Sequence, residues 1–254
     1  MQRIFFFHIP KTAGTSVSQF FLRQLPRENV FIGGPYTAPL KVIKNDPSAP
    51  VYYAAHMAYD EYLNMDFRHR SFTFLRDPRK RLVSSYYFVR NSRAEEGRMS
   101  EQAKATRRYD LADWLQYCLD AGATKHGQNN GNDNFYARIM LGRGSVVEIP
   151  RLDLAPDGPE MALIRQRLRQ FECVGLVEEF PTSLAMIARA LDLSPPEDRD
   201  LVPRNRAADT DKTPREPITD KMNDAITELC RYDQWIYDYG KTLFEQQQKA
   251  YPAP

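Results

Sequence analysis

Residues Phe5 to Ser16 read FFFHIPKTAGTS, and the fold turns on this stretch. The apolar, β-rich run Ile4-Phe5-Phe6-Phe7 passes straight into the loop His8-Ile9-Pro10-Lys11-Thr12-Ala13-Gly14. A helical pattern then begins near Thr15 and Ser16, with Val17, Phe20, Phe21 and Leu25 on one face. A strand, a loop carrying one Lys, one Gly and several hydroxyls, and a helix together make an anion cradle. The N–H groups at the helix start lack intrahelical acceptors, and the helix dipole favours negative charge there. Lys11 adds a full positive charge, and Thr12, Thr15 and Ser16 add donors. The pattern is not GxxxxGK[ST], because the single Gly14 follows Lys11. That weighs against a kinase loop, which needs its Lys at the helix start and an acidic partner for Mg²⁺.

A second unit of the same kind follows. Ser71 to Arg76 (SFTFLR) reads as a strand, Asp77 stands where an N-cap belongs, and Pro78 stands at the first helical position. Leu82, Val83, Tyr86 and Tyr87 mark the buried side of the helix. Arg76 closes its strand and so reaches the same sheet edge as Lys11. It can grip a phosphate bidentately, and Ser84, two turns into the helix, can donate to it. Two strand–turn–helix units with helical crossovers imply a parallel sheet that binds ligands at the carboxyl ends of its strands.

The remaining pattern supplies short strands at Val30-Phe31-Ile32, Val51 to His56 (VYYAAH) and Cys173 to Val177. Helices are expected over Leu111 to Ala121, Phe135 to Leu141, Glu160 to Phe171 and Leu184 to Leu191, and a short helix or turn over Tyr59 to Met65. Ile218 to Gln248 reads as helical with a break near Tyr232-Asp233. Residues 90 to 108 read as an exposed loop, and the five-proline stretch 194 to 217 as a long surface loop.

The 254 residues suffice for one α/β domain over 1–254, with a helical and loop insertion on the acceptor side around 90–145. A formal net charge of +2 gives no case for nucleic-acid binding. Cys118, Cys173 and Cys230 are odd in number and far apart, which fits a reducing compartment. His8, His56, His69 and His126 lack zinc-type spacing, so no metal is expected. Neither a membrane-spanning run nor a signal-peptide pattern is present, so a cytoplasmic protein without an integral membrane segment is expected.

Two motifs carry a family resemblance. PKTAGTS (Pro10 to Ser16) resembles the 5′-phosphosulfate loop of sulfotransferases, and RDPRKRLVSSYY (Arg76 to Tyr87) resembles their 3′-phosphate element. The likeness is to heparan sulfate 2-O-sulfotransferase and related carbohydrate sulfotransferases. VGLVEEFPTSL (Val174 to Leu184) and DQWIYDYGKTLF (Asp233 to Phe244) extend it in weaker form. It implies a P-loop-like three-layer α/β fold with a central, mostly parallel sheet flanked by helices. The donor would be PAPS (3′-phosphoadenosine 5′-phosphosulfate) and the product PAP (adenosine 3′,5′-bisphosphate). Lys11, Thr12, Ala13, Gly14, Thr15 and Ser16 would surround the 5′-phosphosulfate, Arg76 and Ser84 the 3′-phosphate, and Lys212 would lie on a covering loop. His56 would be the general base and Lys11 the catalytic cation, acting on a hydroxyl of a carbohydrate or glycoconjugate. An imidazole, with an unperturbed pKa of about 6.5, suits that task near neutral pH. The proteins resembled have a second His where this chain has Ala54. Asp60 and Glu61 are the fallback bases. His8 is expected to hold the loop. The Arg-rich stretch from Arg90 to Arg108 serves either an anionic acceptor or solvent. An ATP-dependent small-molecule kinase and a non-catalytic PAP-binding sensor or scaffold stand as alternatives.

Overall fold

The computed structural model describes residues 3–33, 51–65, 69–93, 95–99, 101–123, 132–142, 152–202 and 213–252. Five strands form one sheet: β1 (Arg3–Phe7), β2 (Val30–Ile32), β3 (Val51–Ala55), β4 (Arg70–Leu75) and β5 (Cys173–Leu176). Their order is β2-β3-β1-β4-β5, and every pairing is parallel. β1 is the centre and the switch point. The chain runs outward to β2 and back to β3 on one side of it, then crosses to β4 and β5 on the other. Open parallel sheets bind ligands at the carboxyl edge of such a point.

Both faces of the sheet are covered, which explains why β1 reads as continuous Phe instead of alternating. Phe6 stacks on Phe72 at 4.8 Å on the face closed by α1 (Gly14–Gln24), whose Phe21 stacks on Tyr52 at 4.0 Å. Phe5 and Phe7 point the other way, to Tyr59 and Tyr62 of α2 (Tyr59–Leu63) and to Phe171. α3 (Pro78–Arg90) follows β4 and begins as its sequence demands: Asp77 accepts the N–H groups of Arg79 and Lys80 at 2.9 and 3.0 Å.

Next come α4 (Glu101–Arg108), α5 (Leu111–Ala123), α6 (Phe135–Met140) and α7 (Pro159–Leu168). After β5 the chain forms α8 (Phe180–Ala190), α9 (Asp198–Leu201), α10 (Asp220–Leu229) and α11 (Arg231–Ala250). α11 lies close against the sheet at Gly240, where a Cβ would overlap a Leu75 methyl. The result is a three-layer α/β fold around an all-parallel sheet.

Four local expectations change. α9 forms inside the stretch 194 to 217 read as loop, because Asp200 is buried and its carboxylate accepts the Glu197 N–H at 3.0 Å, closing the first turn. α4 forms inside the stretch read as loop, because Ala105 and Thr106 are buried and Arg90 Nη1 donates to the Thr106 and Tyr109 carbonyls, both at 2.7 Å. α5 continues through Gly122 to Ala123 instead of stopping there. The C-terminal break falls at Cys230, before Tyr232, since Asn134 takes the Tyr232 N–H at 2.8 Å and so holds the start of α11. α3, α4, α5 and α10 share a second apolar cluster around Trp114, Leu115, Tyr86 and Ile226.

Candidate active site

The ladder brings three strand ends together. Phe7 pairs with Ala55, so His8 and His56 emerge side by side, and the His8 N–H donates to the Ala55 carbonyl at 3.1 Å. Phe7 also pairs with Thr73, so β4 runs two residues further before Arg76. Thr73 Oγ1 ties the strands by donating to the Phe7 carbonyl at 2.8 Å.

The loop between β1 and α1 is strained in the manner of a ligand clamp. Lys11 and Ala13 both have left-handed backbones, at φ 70° and 62°. A non-glycine residue held there costs about 1–3 kcal/mol and persists only where its surroundings enforce it. Ala13 is the N-cap and has no side chain to cap with. Among the described residues, the Gly14 and Thr15 amides have no acceptor. Thr12 is fully buried and its Oγ1 donates to the Ile9 carbonyl at 2.7 Å, so its hydroxyl braces the loop and only its backbone is left for a ligand. Ser16 is buried and Thr15 is exposed. His8 lies beneath the loop, stacked on Phe6 at 4.8 Å. A Cβ on Gly14 would overlap the His8 ring, which gives Gly14 a reason beyond flexibility. Burial first, then His56 and Lys11, push the His8 imidazole down to about 3, so it stays neutral at ordinary pH. Lys11 Nζ sits 3.9 Å from the centroid of Phe88, an exposed ring one turn beyond Ser84 on α3.

His56 is exposed, with its ring centroid 4.3 Å from that of His8. Its Nδ1 lies 2.6 Å from the His8 carbonyl. A carbonyl can only accept, so in the neutral ring Nδ1 carries the hydrogen and Nε2 keeps the lone pair. Ala54, where the proteins resembled have a second His, is fully buried in β3, so the second imidazole beside His56 is His8 from β1. The two nearby carboxylates are committed elsewhere. Asp60 pairs with Arg167 at 3.1 Å, and Glu61 accepts the Ala58 N–H at 2.9 Å.

Arg76 joins the two motifs: its Nη1 lies 3.4 Å from the Lys11 carbonyl. Burial makes its guanidinium easier to deprotonate, the nearby Glu178 carboxylate opposes this, and Arg215 adds a second positive charge. Ser84 is buried, and its hydroxyl has no partner among the described residues. Lys212 lies outside the described residues, but the chain just after it runs along α3. Thr213 donates to Asn91 at 2.9 Å, the Glu216 N–H donates to Tyr87 at 2.8 Å, and Arg215 lies over the Tyr87 ring at 5.6 Å.

Sequence reasoning missed Arg215, Tyr136 and Glu178. Tyr136 and Glu178 reach the Arg76 turn from distant elements, and no local motif marks them. The basic cluster Lys212-Thr213-Pro214-Arg215 was the one signal for Arg215. The Arg-rich stretch resolves in part: Arg90 and Arg107 are spent on the backbone of their own neighbourhood, Arg107 donating to the Ser92 carbonyl at 2.8 Å.

The carboxyl edge of the parallel sheet thus gathers an uncapped helix start, a lysine, an arginine and an imidazole. A model of the sulfotransferase family matches residues 1–251, and the chain belongs to that family. By family it is an enzyme of sulfuryl transfer. Among solved structures, mouse sulfotransferase SULT7A1 complexed with PAP is similar, with 12% identity over 98% of this chain and 89% of that chain and a TM-score of 0.49. A search of curated proteins gives no significant match.

Proposed function

We propose that the protein transfers a sulfuryl group from PAPS to an acceptor hydroxyl, with release of PAP. The observation that carries this reading is the 3.4 Å approach of Arg76 Nη1 to the Lys11 carbonyl, which makes two anion sites into one two-part site. The groups present suit a ligand with two separated anionic ends. The open Gly14 and Thr15 amides, the Ala13 and Ser16 positions and Lys11 serve the 5′ end. Arg76, Ser84 and Arg215 serve the 3′ end, and the family likeness adds Lys212 as a candidate for the same end. PAPS brings the activated sulfuryl group; positioning, charge neutralisation and proton transfer fall to the chain.

His56 takes the acceptor proton on Nε2 while its Nδ1–H stays on the His8 carbonyl, which fixes both tautomer and ring orientation. His8, held neutral, does not add a positive charge beside a base that must become cationic. Lys11 leaves the Phe88 ring for the anion, because a charge-assisted hydrogen bond outweighs an exposed cation–π contact of about 0.5–1 kcal/mol. Among the described residues, no cluster of three or more His, Cys, Asp or Glu could hold a metal ion. Lys11 and the loop amides are the neutralising groups in this scheme.

A carbohydrate or glycoconjugate is the acceptor this reading favours, on the family likeness of the two motifs. The segment around 90–145 is read as the acceptor side of a single domain. The three cysteines are free and buried, which supports a reducing, cytoplasmic setting. No helix among the described residues is long and apolar enough to cross a membrane. Mass spectrometry of a hydroxyl-acceptor panel incubated with PAPS tests the proposal. The expected result is an acceptor gaining SO₃ in step with PAP formation. Saturable PAP binding without transfer to any acceptor class would favour a sensor instead.

A further inference from the structure

Arg76 stands just past the end of β4, where the ladder no longer satisfies its backbone. β5 serves the residue before it, with the Val177 N–H donating to the Leu75 carbonyl at 2.9 Å. The groups of Arg76 itself are met from elsewhere. The Tyr136 hydroxyl accepts the Arg76 N–H at 3.0 Å and donates to the Arg76 carbonyl at 2.7 Å. One hydroxyl therefore grips both peptide planes around a single Cα, and so sets the direction in which the arginine leaves the main chain.

The grip is itself anchored. Tyr136 is fully buried on α6, a helix of six residues too short to hold its place alone. α6 is fixed to the junction of α10 and α11: Asp233 Oδ1 accepts the Ala137 N–H at 3.1 Å, Asn134 accepts the Tyr232 N–H at 2.8 Å, and the Asn134 N–H donates to the Leu229 carbonyl at 2.6 Å. The buried Arg81 guanidinium lies over the neighbouring Phe135 ring at 4.3 Å and over Tyr136 at 5.6 Å. The far side of the turn is held too. Glu178 takes the Asp77 N–H at 3.1 Å and is itself gripped by the Tyr237 hydroxyl of α11 at 2.9 Å. Burial pushes the Tyr136 phenol far above its ordinary range, so it remains a donor at every working pH.

We propose that Tyr136 is the positioning residue of the 3′-phosphate arm: its hydroxyl preorganises Arg76, and with it the preference for a 3′-phosphorylated nucleotide. This rests on the reading of Arg76 as the 3′-phosphate ligand. Without the hydroxyl, Arg76 keeps its charge but loses the fixed direction that lets a guanidinium meet a phosphate bidentately. The loss falls chiefly on the 3′ end of the ligand, since the Gly14 and Thr15 amides and the Lys11 ammonium stand on a different element, and Arg76 meets that element only at the Lys11 carbonyl, at 3.4 Å.

Calorimetric titration of wild type, Tyr136→Phe and a variant with 4-aminophenylalanine at 136, each with PAP and with 5′-AMP, tests this. Tyr136→Phe is expected to cut the preference for PAP over 5′-AMP by about tenfold while the 5′-AMP Kd moves less than about twofold. The 4-amino group keeps the shape and a donor for the Arg76 carbonyl, and is expected to restore part of the preference. In an Arg76→Ala background, Tyr136→Phe is expected to have no further effect on the ratio. Equal weakening of both ligands, or an unchanged preference in both ring variants, overturns the proposal. A wild type with no preference for PAP over 5′-AMP overturns instead the cofactor reading beneath it.

Discussion

At the scale of single residues, the candidate site separates groups open to a ligand from groups that hold the loop, and His56 and Thr12 mark the division. The sequence places both in the machinery. The structure turns the Thr12 hydroxyl inward to the Ile9 carbonyl and leaves His56 exposed with a defined tautomer. Thr12→Val leaves the Ile9 carbonyl unpaired and should cost about 1–3 kcal/mol, read as a lowered denaturation midpoint. A stability equal to wild type with PAP affinity lost would instead make Thr12 a ligand residue. His56→Ala should lower turnover by about 10²–10⁴-fold while PAP binds within about twofold of wild type. Full turnover at neutral pH would remove His56 from the base role. Lys11, Gly14, Arg76 and Ser84 can be proposed from sequence because each lies in a contiguous motif whose strand and helix are themselves readable. Tyr136 and Arg215 could not, since their place depends on how α6 and the chain after Lys212 pack on α3 and β4.

At the scale of elements, the first strand–turn–helix unit depends on Gly14 for close approach. A methyl there would overlap His8, which lies against Phe6 below and beside His56. Gly14→Ala should therefore either displace His8 or open the loop, and both disturb the amides that face the anion. The expected result is a fall in PAP affinity of at least about tenfold with the far-ultraviolet dichroism unchanged; unchanged affinity would show that the His8 ring can yield. Both strand–helix turns, all five strands and most helices follow from periodicity and capping, because in those segments local preference and burial agree. α4 was hidden for the opposite reason. Glu101–Arg108 is strongly polar, and its helix depends on Arg90 and the cluster around Trp114, which are long-range contacts. Gly122 likewise failed to end α5, since a single Gly costs a helix only about 1 kcal/mol.

At the scale of the whole molecule, two buried titrating groups act on stability in opposite directions. His8 is held down to about 3 from 6.5, so its contribution is intact above pH 6.5 and is lost as pH falls, because the unfolded chain protonates first. Asp233 is fully buried and pushed up to about 6 from 3.8, chiefly by burial. The folded protein takes up that proton first, so stability rises as pH falls from 6 to 3.8 and declines again as pH rises through that window. Each slope is about 1.4 kcal/mol per pH unit, and the two offset one another between roughly pH 6 and 4. Asp233→Asn keeps an acceptor for the Ala137 N–H but removes one slope. Its denaturant stability should fall about 2–3 kcal/mol more than that of wild type between pH 6 and pH 4, and parallel profiles would contradict the assignment. The same assembly brings the ends of β1, β3 and β4 to one edge, and there the account is most exposed to test. The direct measurement is thermal unfolding of the wild-type protein with PAP, 5′-AMP or ADP at matched concentrations. At about 100 times its Kd, PAP should add about 2.7 kcal/mol and raise the Tm by roughly 5–10 °C, with clearly smaller shifts from 5′-AMP and ADP. Equal shifts from all three would contradict a site built for a nucleotide phosphorylated at both ends.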